Sequence, residues 1–183
     1  MINPFKRSYS AEEMNLFRFL ARIKIFSHLT YKEMSLFLPY LYLREYTYNE
    51  AVFFRGDPAG ALYLVKNGKV FLSLDVRDKM ELLRIAKPGE SFGENALVNG
   101  SSRIYNAIVN SEQAELYVIP RVSIFEIFRN HEQVKAKMTS TLAEIYNQMV
   151  SNIFKTYRSS DGFFSLTEAF LADAGMGNTE LAF

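Results

Sequence analysis

Glycine and proline are spread unevenly along this chain, and that unevenness constrains the fold more than any other feature. Six of the nine glycines lie between Gly56 and Gly100, and Pro58 and Pro88 lie among them. Both residue types punctuate turns, so the middle of the chain reads as short strands. The flanks, residues 10–38 and 121–158, contain no glycine and show helical spacing. In the first flank, Ser10 and Glu13 have the spacing of a capping box, followed by Met14, Phe17, Leu20 and Ala21 on one face. A second short helix is expected over Tyr31–Phe37, capped by Thr30. In the last flank, a helix from about His131 to Arg158 carries Val134, Met138, Leu142, Ile145, Met149 and Ile153 at spacings of three and four.

Strands are expected from near Leu41. Asn67-Gly68, between Ala61–Val65 and Val70–Val76, has the form of a two-residue hairpin turn. Val70, Leu72, Leu74 and Val76 alternate with Phe71, Ser73 and Asp75, the period of a half-buried strand. Arg77-Asp78 turns the chain into Met80–Ala86, Lys87-Pro88-Gly89 breaks it, and Tyr105–Asn110 and Ala114–Ile119 follow before Pro120. The expected fold is mainly β with flanking α: an eight-stranded antiparallel β-roll, a jelly-roll or cupin-like double-stranded barrel. The expected organisation is an N-terminal helical segment at 1–40, the roll at 41–120, C-terminal helices at 121–158 and a tail at 159–183. That tail would hold a short helix from Ser165, with Gly175 as its stop.

Composition removes several function classes. The chain is 49% hydrophobic, enough for a real core, and its formal charge is +1, which gives no broad basic surface for nucleic acid. No cysteine is present, which excludes disulfides, thiol catalysis and cysteine metal sites and fits a cytoplasmic location. The longest apolar run, Leu36–Leu43, is too short to span a bilayer and contains Pro39. The two histidines, His28 and His131, are far apart, so no metal cluster is expected. No nucleophile stands beside a base in any recognisable motif, so no catalytic residue is assigned and an enzyme is not expected.

The chemistry concentrates in Pro88–Val109, which reads PGESFGENALVNGSSRIYNAIV. Gly93 permits a tight turn, and Glu94-Asn95-Ala96-Leu97 can form one helical turn whose first amides face an anion. Arg103 arrives nine residues after Glu94, behind a Gly-Ser-Ser loop, and its planar fork suits two phosphate oxygens. Glu94 supplies an acceptor for a sugar hydroxyl. An arginine, a carboxylate and an amide cradle within ten residues fit a sugar phosphate.

Phe92-Gly93-Glu94, Ala96-Leu97 and Arg103 resemble the phosphate-binding cassette of the cyclic-nucleotide-binding domain family, the sensor type of catabolite activators and protein kinase A regulatory subunits. The resemblance extends over about residues 20–155. Ile25–Thr30, Phe53–Pro58, Leu62–Val65 and Asn67–Val70 match the family's early elements in order. It implies a sensor of cyclic AMP or cyclic GMP with no other cofactor. The binding residues would be Phe92, Gly93, Glu94, Asn95, Ala96, Arg103, Ile104 and Tyr105. Glu94 would take the ribose 2′-hydroxyl, Arg103 the exocyclic phosphate oxygens, and the amides of Ala96 and Ile104 the rest of the phosphate. Asn95 stands where the family has an apolar residue, Ser102 where many members have proline, and Ile104-Tyr105 where small residues are usual. Tyr105, two residues after Arg103 on an expected strand, should share its face and reach the base. Two modes of action follow: a sensor that signals by moving its last helix to an effector the sequence does not name, or a ligand-free form of the fold acting as a dimerisation or docking scaffold. A homodimer seam is expected over residues 134–153. Roughly 25 residues follow the long helix, and they are not basic, so no helix-turn-helix is expected.

Overall fold

The computed structural model describes residues 9–77 and 79–159, so the expectations for the N-terminal end, for Asp78 and for the tail helix at Ser165 lie outside the described residues. Helix α1, Ala11–Arg22, begins where the capping box places it. The Ser10 hydroxyl accepts from the Glu13 amide, and the Glu13 carboxylate accepts from the Ser10 amide at 2.8 Å. Thr30 and Glu33 repeat the device for α2, Tyr31–Met34. That helix stops three residues short of the expected Phe37. Ser35 turns its hydroxyl onto the Lys32 carbonyl, and Pro39, whose missing N–H is tolerated in the first turn of a helix, sits in a separate short 3-10 turn over Leu38–Tyr40. Phe17 and Leu20 are buried, and Phe17 stacks on Tyr31 with centroids 5.1 Å apart.

The strands are β1 (Tyr42–Thr47), β2 (Ala51–Phe53), β3 (Ala61–Asn67), β4 (Val70–Val76), β5 (Lys79–Ala86), β6 (Ser91–Phe92), β7 (Asn106–Val109) and β8 (Gln113–Pro120). They form two four-stranded antiparallel sheets, in the orders β1-β8-β3-β6 and β2-β7-β4-β5. The β-roll read from the sequence is therefore the observed architecture. Its core holds Phe53, Val65, Val70, Leu72, Phe92, Tyr105, Val109 and Leu116. The bulky apolar side chains line the space between the sheets because strand alternation sends every second one inward.

The Asn67-Gly68 pair is not the hairpin turn expected. β3 and β4 belong to different sheets, so the chain crosses between layers there. Gly68 has φ +82°, and a Cβ would stand 2.5 Å from the Gln113 carbonyl oxygen and 2.7 Å from the Ala114 Cα. The dipeptide is there because the crossing runs hard against the start of β8, which only glycine permits. The real hairpin is β4–β5, where Val76 faces Lys79 across Arg77 at φ +55°. β5 carries one residue more than its partner between Arg84 and Leu82. This bulge ends the clean alternation expected along β4: Ser73 is buried, whereas Val76 is exposed.

β8 runs through Pro120 into α3, Arg121–Asn130, and α4 spans Glu132–Ser159. Residues up to Leu142 form one compact unit, and the remainder of α4 belongs to a second. Val134, Met138, Thr141 and Leu142 are buried. Near its start α4 is tied to α2 by Lys137, whose ammonium lies 2.8 Å from both oxygens of Glu33. Burial alone would raise the Glu33 pKa. The bonds from Lys137 and Thr30 outweigh it and hold the carboxyl below its usual value.

A carboxyl depressed in the folded state gives stability that is complete above its unfolded pKa and is lost as pH falls through the folded value. Thermal unfolding followed from pH 7 to pH 3 should therefore show wild type losing more midpoint than Glu33→Gln, with the variant starting lower at pH 7. Parallel curves would mean that the pair contributes nothing.

Candidate functional site

The site is built on a change of backbone direction after β6. Phe92 is fully buried and stacks on Tyr63 at 5.1 Å, which fixes the end of the strand. Gly93 then turns the chain at φ +74°, and Glu94–Leu97 makes a single 3-10 turn. A Cβ on Gly93 would stand 2.6 Å from Arg103 Nη1 and 3.4 Å from the Ala61 carbonyl oxygen, so the glycine both makes the turn and clears room for the guanidinium.

Arg103 is only 3% exposed. Its Nη1 donates to the Gly93 carbonyl and to Asn95 Oδ1, each at 3.0 Å, and Nη2 donates to the Ala61 carbonyl at 2.6 Å. The guanidinium carbon lies 4.1 Å above the Phe53 ring and 5.5 Å from that of Tyr63. Among the described residues no carboxylate forms an ion pair with it, and its buried Nε has no hydrogen-bond partner. Burial pushes its pKa down, although a guanidinium stays protonated. The main chain of the arginine is held as firmly as the side chain. Its amide donates to the Asp57 carbonyl at 2.8 Å, and its carbonyl accepts from the Gly56 amide at 2.9 Å. The Gly56-Asp57-Pro58 turn thus positions the arginine from beneath.

Asn95 joins the two halves of the cassette. Besides accepting from Arg103, its Nδ2 donates to the Ser102 carbonyl, and its own carbonyl accepts from the Ser101 hydroxyl. A buried amide with both ends engaged thus fills the position where the resemblance led one to expect an apolar side chain. Glu94 is 11% exposed at its side chain; its carboxylate accepts from the Ser91 hydroxyl at 2.8 Å and lies 3.9 Å from Arg84 Nη2.

The structure brings Phe92, Gly93, Glu94, Asn95, Arg103 and Tyr105 together and alters one expectation. The Ala96 amide is not open to an anion: it donates to the Gly93 carbonyl at 3.0 Å, because a 3-10 turn closes three residues back. Ile104 has its side chain turned outward, 54% exposed. Tyr105 lies just outside β7, so strand alternation does not govern it, yet it shares the interior with Arg103. Its ring is 5.7 Å from that of Phe53, and its hydroxyl accepts from the Gly93 amide at 2.8 Å. Burial, then the Glu94 charge, raise the phenol pKa. The sequence reading missed Ser91, Arg84, Phe53, Tyr63 and the Ala61 carbonyl. Ser91 sits inside the stretch already singled out, and its spacing of three from Glu94 is a usable signal. The others depend on strand register, and a main-chain carbonyl leaves no mark in sequence.

Asn95→Ala removes one acceptor from a buried guanidinium and one donor from the Ser102 carbonyl. Orphaned buried groups cost about 1–3 kcal/mol, more when charged, so chemical denaturation should show a loss of about 2–4 kcal/mol. A loss under about 0.5 kcal/mol would mean that the loop adapts without the amide.

Comparison with known proteins agrees with this geometry. The family model described as "Cyclic nucleotide-binding domain" matches residues 43–131. The cyclic AMP receptor protein of Thermus thermophilus is 32% identical over 120 residues, covering 65% of this chain and 55% of that protein. The crystal structure of the Thermus thermophilus catabolite activator protein superposes with a TM-score of 0.63 at 28% identity, covering 73% of this chain and 62% of that one. The regulatory domain of Toxoplasma gondii PKA, crystallised with cAMP, superposes with a TM-score of 0.60 at 21% identity, covering 66% of this chain and 46% of that one, a likeness of fold. The chain spans about half the length of the Thermus receptor protein and a fifth of that of a further relative named as a channel protein. Among the described residues no helix is long and apolar enough to cross a membrane, and no group of three His, Cys, Asp or Glu could hold a metal. Residues 43–131, with the turn at Gly93 and the buried Arg103, match the cyclic nucleotide-binding domain family.

Proposed function

We propose that this chain is a regulatory sensor that binds cyclic AMP or cyclic GMP, performs no chemistry on it and signals through α4. One observation carries the reading: Arg103 is a buried cation with no carboxylate partner among the described residues and with Nε unpaired. A buried charge without a counter-charge is costly, and an anion that enters beside it removes the cost. Nε and Nη2 share one edge of the guanidinium, the spacing of two phosphate oxygens. A cyclic phosphate supplies a single negative charge over two exocyclic oxygens. Glu94, one residue after Gly93, would accept the sugar hydroxyl, with Phe92, Gly93, Asn95 and Ala96 forming the wall behind the phosphate. The Ile104 amide would add to the phosphate contacts, and Tyr105 would stand on the base side. The kinship with the Thermus receptor protein supports a cyclic nucleotide as the ligand. The absence of cysteine fits work in the cytoplasm.

The sensor acts as a homodimer in this reading, with a seam shorter than the sequence implies. Val134, Met138 and Leu142 are buried in the chain itself and are not free to face a partner. Met149, Val150 and Ile153 are exposed apolar side chains farther along α4, at spacings a helix seam uses.

Titration calorimetry with cyclic AMP and cyclic GMP should give binding near micromolar, about −8 kcal/mol. Arg103→Ala should weaken it by about 2–5 kcal/mol. No heat and no thermal shift at millimolar nucleotide would replace the sensor reading with that of a ligand-free scaffold. Light scattering should show twice 21.1 kDa for wild type and a monomer for Met149→Glu/Ile153→Glu; a wild-type monomer at high concentration, with and without nucleotide, removes the dimer.

A further inference from the structure

Several hydrogen-bonding groups around the turn are already occupied from within the chain, although Arg103 Nε is not. Gly93 gives its amide hydrogen to the Tyr105 hydroxyl, Arg103 Nη1 is shared by the Gly93 carbonyl and Asn95, and Ala96 closes onto Gly93. The Tyr105 bond is the informative one. The Gly93 amide immediately precedes Glu94, whose carboxylate is the acceptor assigned to the sugar hydroxyl. The oxygen that fills the space 2.8 Å from that amide is the Tyr105 phenol oxygen, and the Glu94 charge acts on it. The phenol is 9% exposed and its ring belongs to the aromatic cluster with Phe53, so it is a packed occupant of that space.

We propose that Tyr105 is a specificity-determining residue whose hydroxyl stands in for the sugar hydroxyl on the Gly93 amide: a nucleotide that carries a 2′-hydroxyl displaces it and returns an oxygen to Gly93, a nucleotide without one leaves it in place, and the tyrosine so sets how much that hydroxyl is worth. The inference rests on the sensor reading above and adds the element that selects the ligand. In the free protein the Gly93 amide is satisfied, so a ligand gains no new bond there; it exchanges one acceptor for another. Removing the hydroxyl changes the balance. Tyr105→Phe keeps the ring and its packing but leaves a buried amide without an acceptor, a cost borne by the free protein alone and relieved on binding. The variant is therefore less stable when free and tighter when titrated. A side chain that only fills space would lower stability without raising affinity. The gain depends on the 2′-oxygen, so a 2′-deoxy nucleotide does not show it.

The test is a calorimetric titration of wild type and Tyr105→Phe with cyclic AMP and 2′-deoxy cyclic AMP, each protein first unfolded thermally to confirm a cooperative transition. The expected result is about 2- to 10-fold tighter binding of cyclic AMP by the variant, the worth of one neutral hydrogen bond, and no change for the 2′-deoxy ligand. Equal or weaker binding of cyclic AMP by the variant overturns the proposal and leaves the sensor reading standing. An equal gain with both ligands overturns it too, because the displaced oxygen is then not the sugar's. No binding by either protein at millimolar ligand overturns both. A second measurement needs no substitution. In 15N-labelled wild type, saturating cyclic AMP should shift the Gly93 amide resonance, with a smaller shift for the 2′-deoxy ligand; an unmoved resonance counts against the displacement.

Discussion

The buried guanidinium of Arg103 is the interaction on which the arrangement of the cassette depends. A cation removed from water needs acceptors aimed at it, and two segments far apart in sequence supply three. They are the Ala61 carbonyl at the start of β3, the Gly93 carbonyl after β6 and the Asn95 side chain in the following turn. The aromatic floor of Phe53 comes from a third segment. Each imposes a local requirement. The turn needs positive φ at residue 93, the neighbouring side chain must be able to accept, and the 55–59 turn must grip the main chain of residues 101–103. The arrangement neutralises part of the desolvation cost with dipoles and leaves the net charge in place. That ground state suits the anionic ligand proposed above.

Local signals in this sequence read well because their physics is local. Ser10 with Glu13 and Thr30 with Glu33 close on themselves within one helical turn, so the helix starts follow from four residues each. The Gly93–Arg103 stretch reads for the same reason: turn, carboxylate and arginine fall within eleven residues. Asn67-Gly68 does not read, because its dipeptide serves a hairpin and a crossing between sheets equally well. The deciding contact, the approach of Gln113 and Ala114, is more than forty residues away. Likewise nothing near Tyr105 in sequence shows that its hydroxyl ends on the Gly93 amide. The apolar stripe of α4 is visible as a stripe, but only packing reveals that its first three members are spent on the chain's own core.

Asn95 shows how a departure from a familiar pattern can be absorbed. A polar side chain in a buried position is costly unless both its donor and its acceptor are used. Here the acceptor goes to Arg103 and the donor to the Ser102 carbonyl, so the amide replaces apolar packing with a cross-link between the turn and the loop that carries the arginine. The loop then needs no proline at residue 102 to fix its course, since Asn95 and Pro58 hold it from either side.

The close pass of Gly68 has a consequence for the route by which the roll assembles. The crossing from β3 to β4 and the entry into β8 occupy the same small space, one through the bare face of a glycine and the other through the backbone at Gln113 and Ala114. Neither bend is complete alone, for each is a wall of the other. β8 also bridges β1 and β3, while β4 bridges β7 and β5. Strands separated by dozens of residues must therefore arrive before either layer gains its full ladder, and the entropy of closing those loops is met before most of the burial is won. The two sheets are in this sense a single cooperative object, seated at one glycine.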